Sequence, residues 1–206
     1  MITGAARGIG AALAFGVNLL GSAATARAFL PALAASKGYY LQVASLAAMA
    51  PAPLMAAYCA SKAGVESFAQ ALRAEVAHQG IGVGVAYLSW TDTDLVRAAD
   101  QDEIMARFRA RLPWPASATS PLDPAVERIA ARIGRRAACI YAPPWVRALQ
   151  WLPRGALPAG VTRTGAREVA RLAPGLRATA ARRRQLLGPG GLAAEEAGAA
   201  PAEGPA

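Results

Sequence analysis

Apolar positions recur at helical spacing through residues 15–35, where Leu19, Ala23, Ala26 and Leu30 fall on one face. Pro31 is expected to kink or end that helix, because proline has no amide hydrogen for the helical ladder. Residues 39–44, Tyr-Tyr-Leu-Gln-Val-Ala, read as a short buried strand that delivers Ser45 to its carboxyl end, the rim where ligands collect in open α/β sheets. Pro51 and Pro53 mark a loop, and residues 58–78 form the second clear helix, ended by Gly80. Residues 81–88 follow as a second buried strand, with Thr93 shortly after it. A further helix is expected at residues 122–134, with Asp123 as N-cap and Pro124 in the first turn.

Composition bounds the class more than the chemistry. At 206 residues and 54% apolar content the chain can bury one sizeable core, although abundant alanine makes that fraction overstate the burial. Cys59 and Cys139 provide neither a disulfide framework nor metal-ligand spacing, so a reducing cytoplasm is the expected setting. His78, the only histidine, stands before Gln79-Gly80 at a helix end, where a solvated or capping role is expected. Residues 8–21 can be scanned as a secretory signal, but glycines break that stretch. Arg27 and Arg147 interrupt the two most apolar runs, so no spanning helix is expected.

Charge separates the last third from the rest. The net charge is +9, and residues 128–184 hold thirteen arginines against a single acid, Glu168. An even spread of arginine reads as a solvated helical face. The alternative is a peripheral contact with an anionic membrane through Trp145, Leu149 and Trp151 beside Arg147 and Arg154. No nucleic-acid-binding signature accompanies the charge. Residues 188–206, rich in Gly, Ala, Pro and Glu, are expected to be disordered.

Two constellations carry chemistry. Tyr58 and Lys62 are four residues apart, so a helix places phenol and ammonium on one face, where the cation favours tyrosinate. Unperturbed tyrosine titrates near pH ~10, too high for a base at neutral pH, and a neighbouring cation is what proton transfer there requires. Ser45, thirteen residues upstream of Tyr58, is placed to hold the reacting oxygen. The chain opens with Thr3-Gly4-Ala5-Ala6-Arg7-Gly8-Ile9-Gly10, a glycine-rich turn leading into a helix, which lets backbone amides approach a pyrophosphate.

Taken in order, that turn, Asn18-Leu19-Leu20-Gly21, Ser45, Tyr58 with Lys62, and Thr93 resemble the short-chain dehydrogenase/reductase family over roughly the first 145 residues. The resemblance implies an α/β fold: a truncated Rossmann-like, doubly wound parallel sheet in residues 1–145. A basic helical appendage at 146–187 and the tail at 188–206 follow it. It implies hydride exchange between NADP or NAD and a carbonyl or secondary alcohol, with Tyr58 as acid/base and Ser45 orienting the substrate oxygen. Lys62 would lower the Tyr58 pKa and bind the nicotinamide ribose, and Asn18 would hold a relay water. Thr3, Gly4, Gly8, Ile9 and Gly10 would line the pyrophosphate, and Thr93 would meet the nicotinamide end. Arg7 leans the cofactor towards NADP, since a cation there can meet a 2′-phosphate. A homo-oligomer is also implied.

Two departures stand out against the family pattern. Only seven residues separate Gly10 from Asn18, so three strands and the adenine side of the cofactor platform are expected to be missing. The helix after the glycine turn and the helix bearing Asn18 must then be one continuous or sharply broken helix. Only Met1 and Ile2 precede Thr3, which reads as a remnant or a mis-started piece of a longer gene. Ser89-Trp90 stands where the family has Pro-Gly, altering the pocket shape. The alternative to an enzyme is an inactive remnant that acts at most as a dimerisation partner.

Overall fold

The computed structural model describes residues 14–151, 165–167 and 169–175. The glycine-rich turn at 3–10, Arg154 and the tail at 188–206 lie outside the described residues. A π-helical turn, Ala14–Leu20, runs into helix α1, Gly21–Ser36, followed by β1, Tyr39–Val43, and the short α2, Leu46–Met49. Helix α3, Ala56–Val76, precedes β2, Gly82–Leu88; then come α4, Asp94–Asp100, and α5, Glu103–Ala110. Helix α6, Leu122–Gly134, leads to β3, Cys139–Ala142, and a 3-10 helix, Pro144–Trp151.

Among the described residues the sheet has three parallel strands in the order β1-β2-β3. Tyr39 pairs with Gly82 and Val43 with Ala86, while Val85 pairs with Cys139 and Leu88 with Ala142. Every crossover is helical, which is the only economical way to return a chain to a parallel neighbour. The expected truncated Rossmann-like α/β fold is the fold observed.

The core is built where two periodicities meet. Along α3, Val65, Ala69, Leu72 and Val76 recur at helical spacing and are buried against Ile81, Val83, Val85 and Tyr87 of the central strand region. β2 is buried on both faces, as a central parallel strand must be, and its Gly84 answers a specific demand. A Cβ there would come within 1.9 Å of the Tyr39 hydroxyl and 2.5 Å of the Ala137 carbonyl oxygen. That hydroxyl donates to the same carbonyl at 2.7 Å, so the glycine makes room for a cross-sheet hydrogen bond.

Two arginines fasten the amino-terminal rim of the sheet. Arg73 of α3 donates from Nε to the Val83 carbonyl at 2.7 Å and from Nη2 to that of Ala138 at 2.6 Å. Arg136 donates to the carbonyls of Lys37 at 2.7 Å, Gly80 at 2.9 Å and Gly38. Gly80 has φ +73°, the left-handed conformation that ends the helical segment as expected.

Two local expectations are corrected. Pro31 does not end its helix: α1 continues to Ser36 and closes on Lys37, with the Gly38 amide donating to Leu33 at 2.7 Å. Pro31 is exposed, so the carbonyl it leaves unpaired in the previous turn can be solvated. Helix α6 starts at Leu122 with Pro121 as its N-cap, so Asp123 serves in the first turn, where its charge faces the helix dipole favourably. The segment Ala14–Ser36 is, by length and composition, apolar enough to cross a membrane, with Arg27 and all. Its core contacts use one narrow stripe, Ala26 with Leu19, Leu30 and Leu33.

A second cluster joins Ala99, Met105 and Phe108 to Leu172, so the helix around residues 165–175 lies against α4 and α5.

Candidate active site

Parallel pairing puts the carboxyl ends of β1 and β2 on one rim, bringing Ser45 and the Ser89–Thr93 loop to the same side of the sheet. Ser45 has extended backbone and caps α2, its Oγ accepting from the Ala47 amide at 3.2 Å. Its hydroxyl also faces the phenol of Tyr58, in the first turn of α3, and this hydrogen bond draws the phenol pKa down. Burial acts the other way and dominates, so the Tyr58 pKa stands above its ordinary value. Lys62 follows one turn later, its ammonium 5.8 Å from the centre of the Tyr58 ring. Burial lowers its pKa.

Lys62 Nζ donates to the Val43 carbonyl at 3.2 Å. The Ala44 amide bonds to Ala86 on β2, so by parallel-strand alternation the neighbouring Val43 carbonyl points to the outer edge of β1. The lysine thereby covers a backbone acceptor that β2 cannot reach.

Asn18 reaches α3 from the π-helical turn, a local widening that recurs at functional sites. Its Nδ2 donates to Ser61 Oγ at 3.0 Å, and Ser61 in turn donates to the Tyr58 carbonyl at 2.8 Å. Asn18 is thus linked to the backbone of the helix that carries Tyr58. Gly64 makes the approach possible, since a Cβ there would sit 3.2 Å from Leu19 of the same turn. Thr93 caps α4, its Oγ1 accepting from the Val96 amide at 3.4 Å. Thr3, Gly4, Arg7, Gly8, Ile9 and Gly10 fall outside the described residues, so the structure brings together Asn18, Ser45, Tyr58 and Lys62.

Two features near the rim were not apparent in the sequence. The buried Cys59 accepts at Sγ from the Ala52 amide at 3.3 Å, pinning the loop before α3. Arg109 is buried, pairs with Asp100, donates to Thr119 Oγ1 at 2.5 Å and lies 4.5 Å from the Trp90 ring centre. Trp90, the residue that replaces the family glycine, is therefore clamped under a guanidinium. No local pattern announces such a contact, because its members come from three separate segments.

Comparison with known proteins bears on the family and the fold. Residues 13–104 match the family profile described as short chain dehydrogenase. Human retinol dehydrogenase 5 is 28% identical over 168 residues, covering 70% of this chain and 52% of that protein. A hydroxysteroid 11-beta-dehydrogenase 1-like protein of Xenopus tropicalis is 32% identical over 145 residues, covering 67% of this chain and 46% of that protein. Among solved structures, a short chain dehydrogenase from Burkholderia cenocepacia J2315 in complex with NADP superposes with a TM-score of 0.53 at 25% identity. The match covers 74% of this chain and 58% of that one. The chain belongs to the short-chain dehydrogenase/reductase family. It spans about half the length, or less, of the curated relatives it matches.

Proposed function

We propose that the chain is an NAD(P)-dependent oxidoreductase acting on a carbonyl or secondary alcohol, with Tyr58 as the proton donor and acceptor. The observation that carries this reading is the convergence of Ser45, Tyr58 and Lys62 on one rim of the sheet. A phenol held above its ordinary pKa by burial keeps its proton until a substrate oxygen takes it, and Ser45 Oγ supplies a second hydrogen bond to that oxygen. A nicotinamide cofactor fits the donor set: Lys62 carries three N–H groups, of which one goes to Val43, leaving two for ribose hydroxyls. When bound, the nicotinamide supplies or accepts the hydride. Asn18, tied to Ser61, positions the Tyr58 turn, and Thr93 stands at the far side of the rim.

In this reading Gly4, Gly8 and Gly10 hold the pyrophosphate, with Thr3 and Ile9 in the same turn. Arg7 favours NADP, in keeping with the NADP named for the Burkholderia structure. The names of two relatives refer to apolar compounds, retinol and a hydroxysteroid, and here the half-buried Leu54, Met55 and Trp90 form part of an apolar cluster beside the rim. An apolar ketone is therefore the first substrate to test. The test is oxidation of NADPH by the purified chain with such a ketone, in parallel with Tyr58→Phe. Turnover by the parent that persists in the variant would remove Tyr58 from the mechanism.

The second reading, an inactive member of the family that serves as a partner subunit, is favoured by the three-stranded sheet of the described residues. Calorimetric titration with NADPH separates the two. Heat of binding supports the enzyme, and its absence at millimolar cofactor supports the partner.

A further inference from the structure

Away from the Ser45 rim, a cleft of about 390 Å³ opens between α6, β3 and the 3-10 helix. Three cations line it: Arg128 and Arg132 of α6, and Arg147 of the 3-10 helix. Arg128 and Arg132 are one helical turn apart and so share a face, an arrangement in which like charges repel. Among the described residues none of the three makes a hydrogen bond or ion pair, and no Asp or Glu lines the cleft. Cys139 and Tyr141 of β3 line it while also packing on the core, the Tyr141 ring stacked on Tyr87, and the alternating Ile140 and Ala142 are buried. Gln150 and Trp151 complete the wall, the indole 81% exposed. Three unpaired guanidinium groups, a phenol, an amide and an uncovered aromatic face together suit a multiply charged anion attached to a flat or apolar group.

We propose that this cleft binds a phosphate-bearing ligand, its oxygens held by Arg128, Arg132 and Arg147 and the group it carries lying on Trp151. Arginine is suited to this task because its planar fork can meet two phosphate oxygens at once. The inference is independent of the oxidoreductase reading, since the cleft shares no residue with Ser45, Tyr58 or Lys62.

The phosphate can belong to a soluble molecule or to a lipid headgroup, and two measurements on the full chain distinguish them. The first is calorimetric titration with inorganic pyrophosphate at about 0.15 M salt. One site is expected, weakened about tenfold or more in the double variant Arg128→Gln/Arg132→Gln, which loses two charge-assisted contacts. The second is flotation with phosphatidylcholine vesicles with and without phosphatidic acid. Flotation that needs phosphatidic acid and is lost in the double variant, without a pyrophosphate response, assigns the phosphate to lipid. Pyrophosphate binding without flotation assigns it to a soluble ligand. The substituted arginines are exposed, so the variants should fold, and circular dichroism checks this. The proposal is overturned by binding in neither arm, by binding that the double variant retains, or by sulfate binding as tightly as pyrophosphate.

Discussion

Asn18 and Ser61 are 43 residues apart in the chain, yet their side chains meet in a 3.0 Å hydrogen bond. Ser61 is fully buried and donates a hydrogen bond to the carbonyl of Tyr58, so the π-helical turn and α3 are coupled through one hydroxyl. A double-mutant cycle of Asn18→Ala and Ser61→Ala, followed by urea unfolding, should give a coupling of about 1 kcal/mol. Additive losses would mean that the bond contributes nothing to holding the turn against α3.

If the chain is the proposed oxidoreductase, Tyr58→Phe should lower carbonyl turnover by about two orders of magnitude or more, because it removes the hydroxyl proposed to exchange the proton. Folding should change little, since the ring and its packing remain. Comparing single-turnover rates with unfolding midpoints separates the two effects.

All five tyrosines have pKa values above the ordinary 10.0, with burial the first cause at each. A raised folded pKa stabilises fully below the unfolded value, and that contribution is lost as pH rises through the folded values. Lys62 has the opposite shift, and its contribution falls as pH drops through its lowered value, so it offsets one tyrosine in part. The thermal midpoint should therefore fall as pH rises beyond about 10. Tyrosinate absorbance should appear together with unfolding; a full tyrosinate signal from the folded chain near pH 10 would contradict these shifts.

Arg109→Met should destabilise the fold by roughly 2–3 kcal/mol, leaving Asp100 and Thr119 without their cation and freeing Trp90. Asp100 is 42% exposed and can be rehydrated, which keeps the cost below that of a fully buried pair. Chemical denaturation measures the loss, and a shift in tryptophan emission would report the release of Trp90.

Gly84→Ala should cost about 1–3 kcal/mol through overpacking, because the new methyl meets Tyr39 and Ala137 inside contact distance. In a Tyr39→Ala background the added cost should shrink, though contact with the Ala137 carbonyl keeps it above zero.

The elements that depend on local pattern were legible in the sequence. β1 at Tyr39–Val43 and β2 at Gly82–Leu88 fall within a residue of where apolar runs place them, and α3 begins two residues before Tyr58. The proximity of Ser45, Tyr58 and Lys62 was legible because strand-end and helix-face rules fix their positions. Pro31 misled because proline ends a helix only where the freed carbonyl cannot be solvated, and exposure is not written in the residue itself. Long-range polar contacts were illegible for a related reason. Arg109 meets partners from positions 90 to 119, and Arg136 reaches back to Lys37, at distances in sequence that no periodicity spans. The balance at Tyr58 was also hidden: a neighbouring lysine suggests a lowered pKa, but burial depth decides the sign, and burial depth belongs to the fold.

The guanidinium groups of Arg73 and Arg136 divide the sheet into two unequal rims. At one, five carbonyls from three separate stretches of chain converge on two side chains. At the other, the strands run into loops that carry Ser45 and Thr93. Amide hydrogens at the fastened rim should exchange slowest with solvent, and fraying should start from the Ser45 rim. Loop length and residue choice at the Ser45 rim can then change without altering strand register, which the guanidinium rim holds.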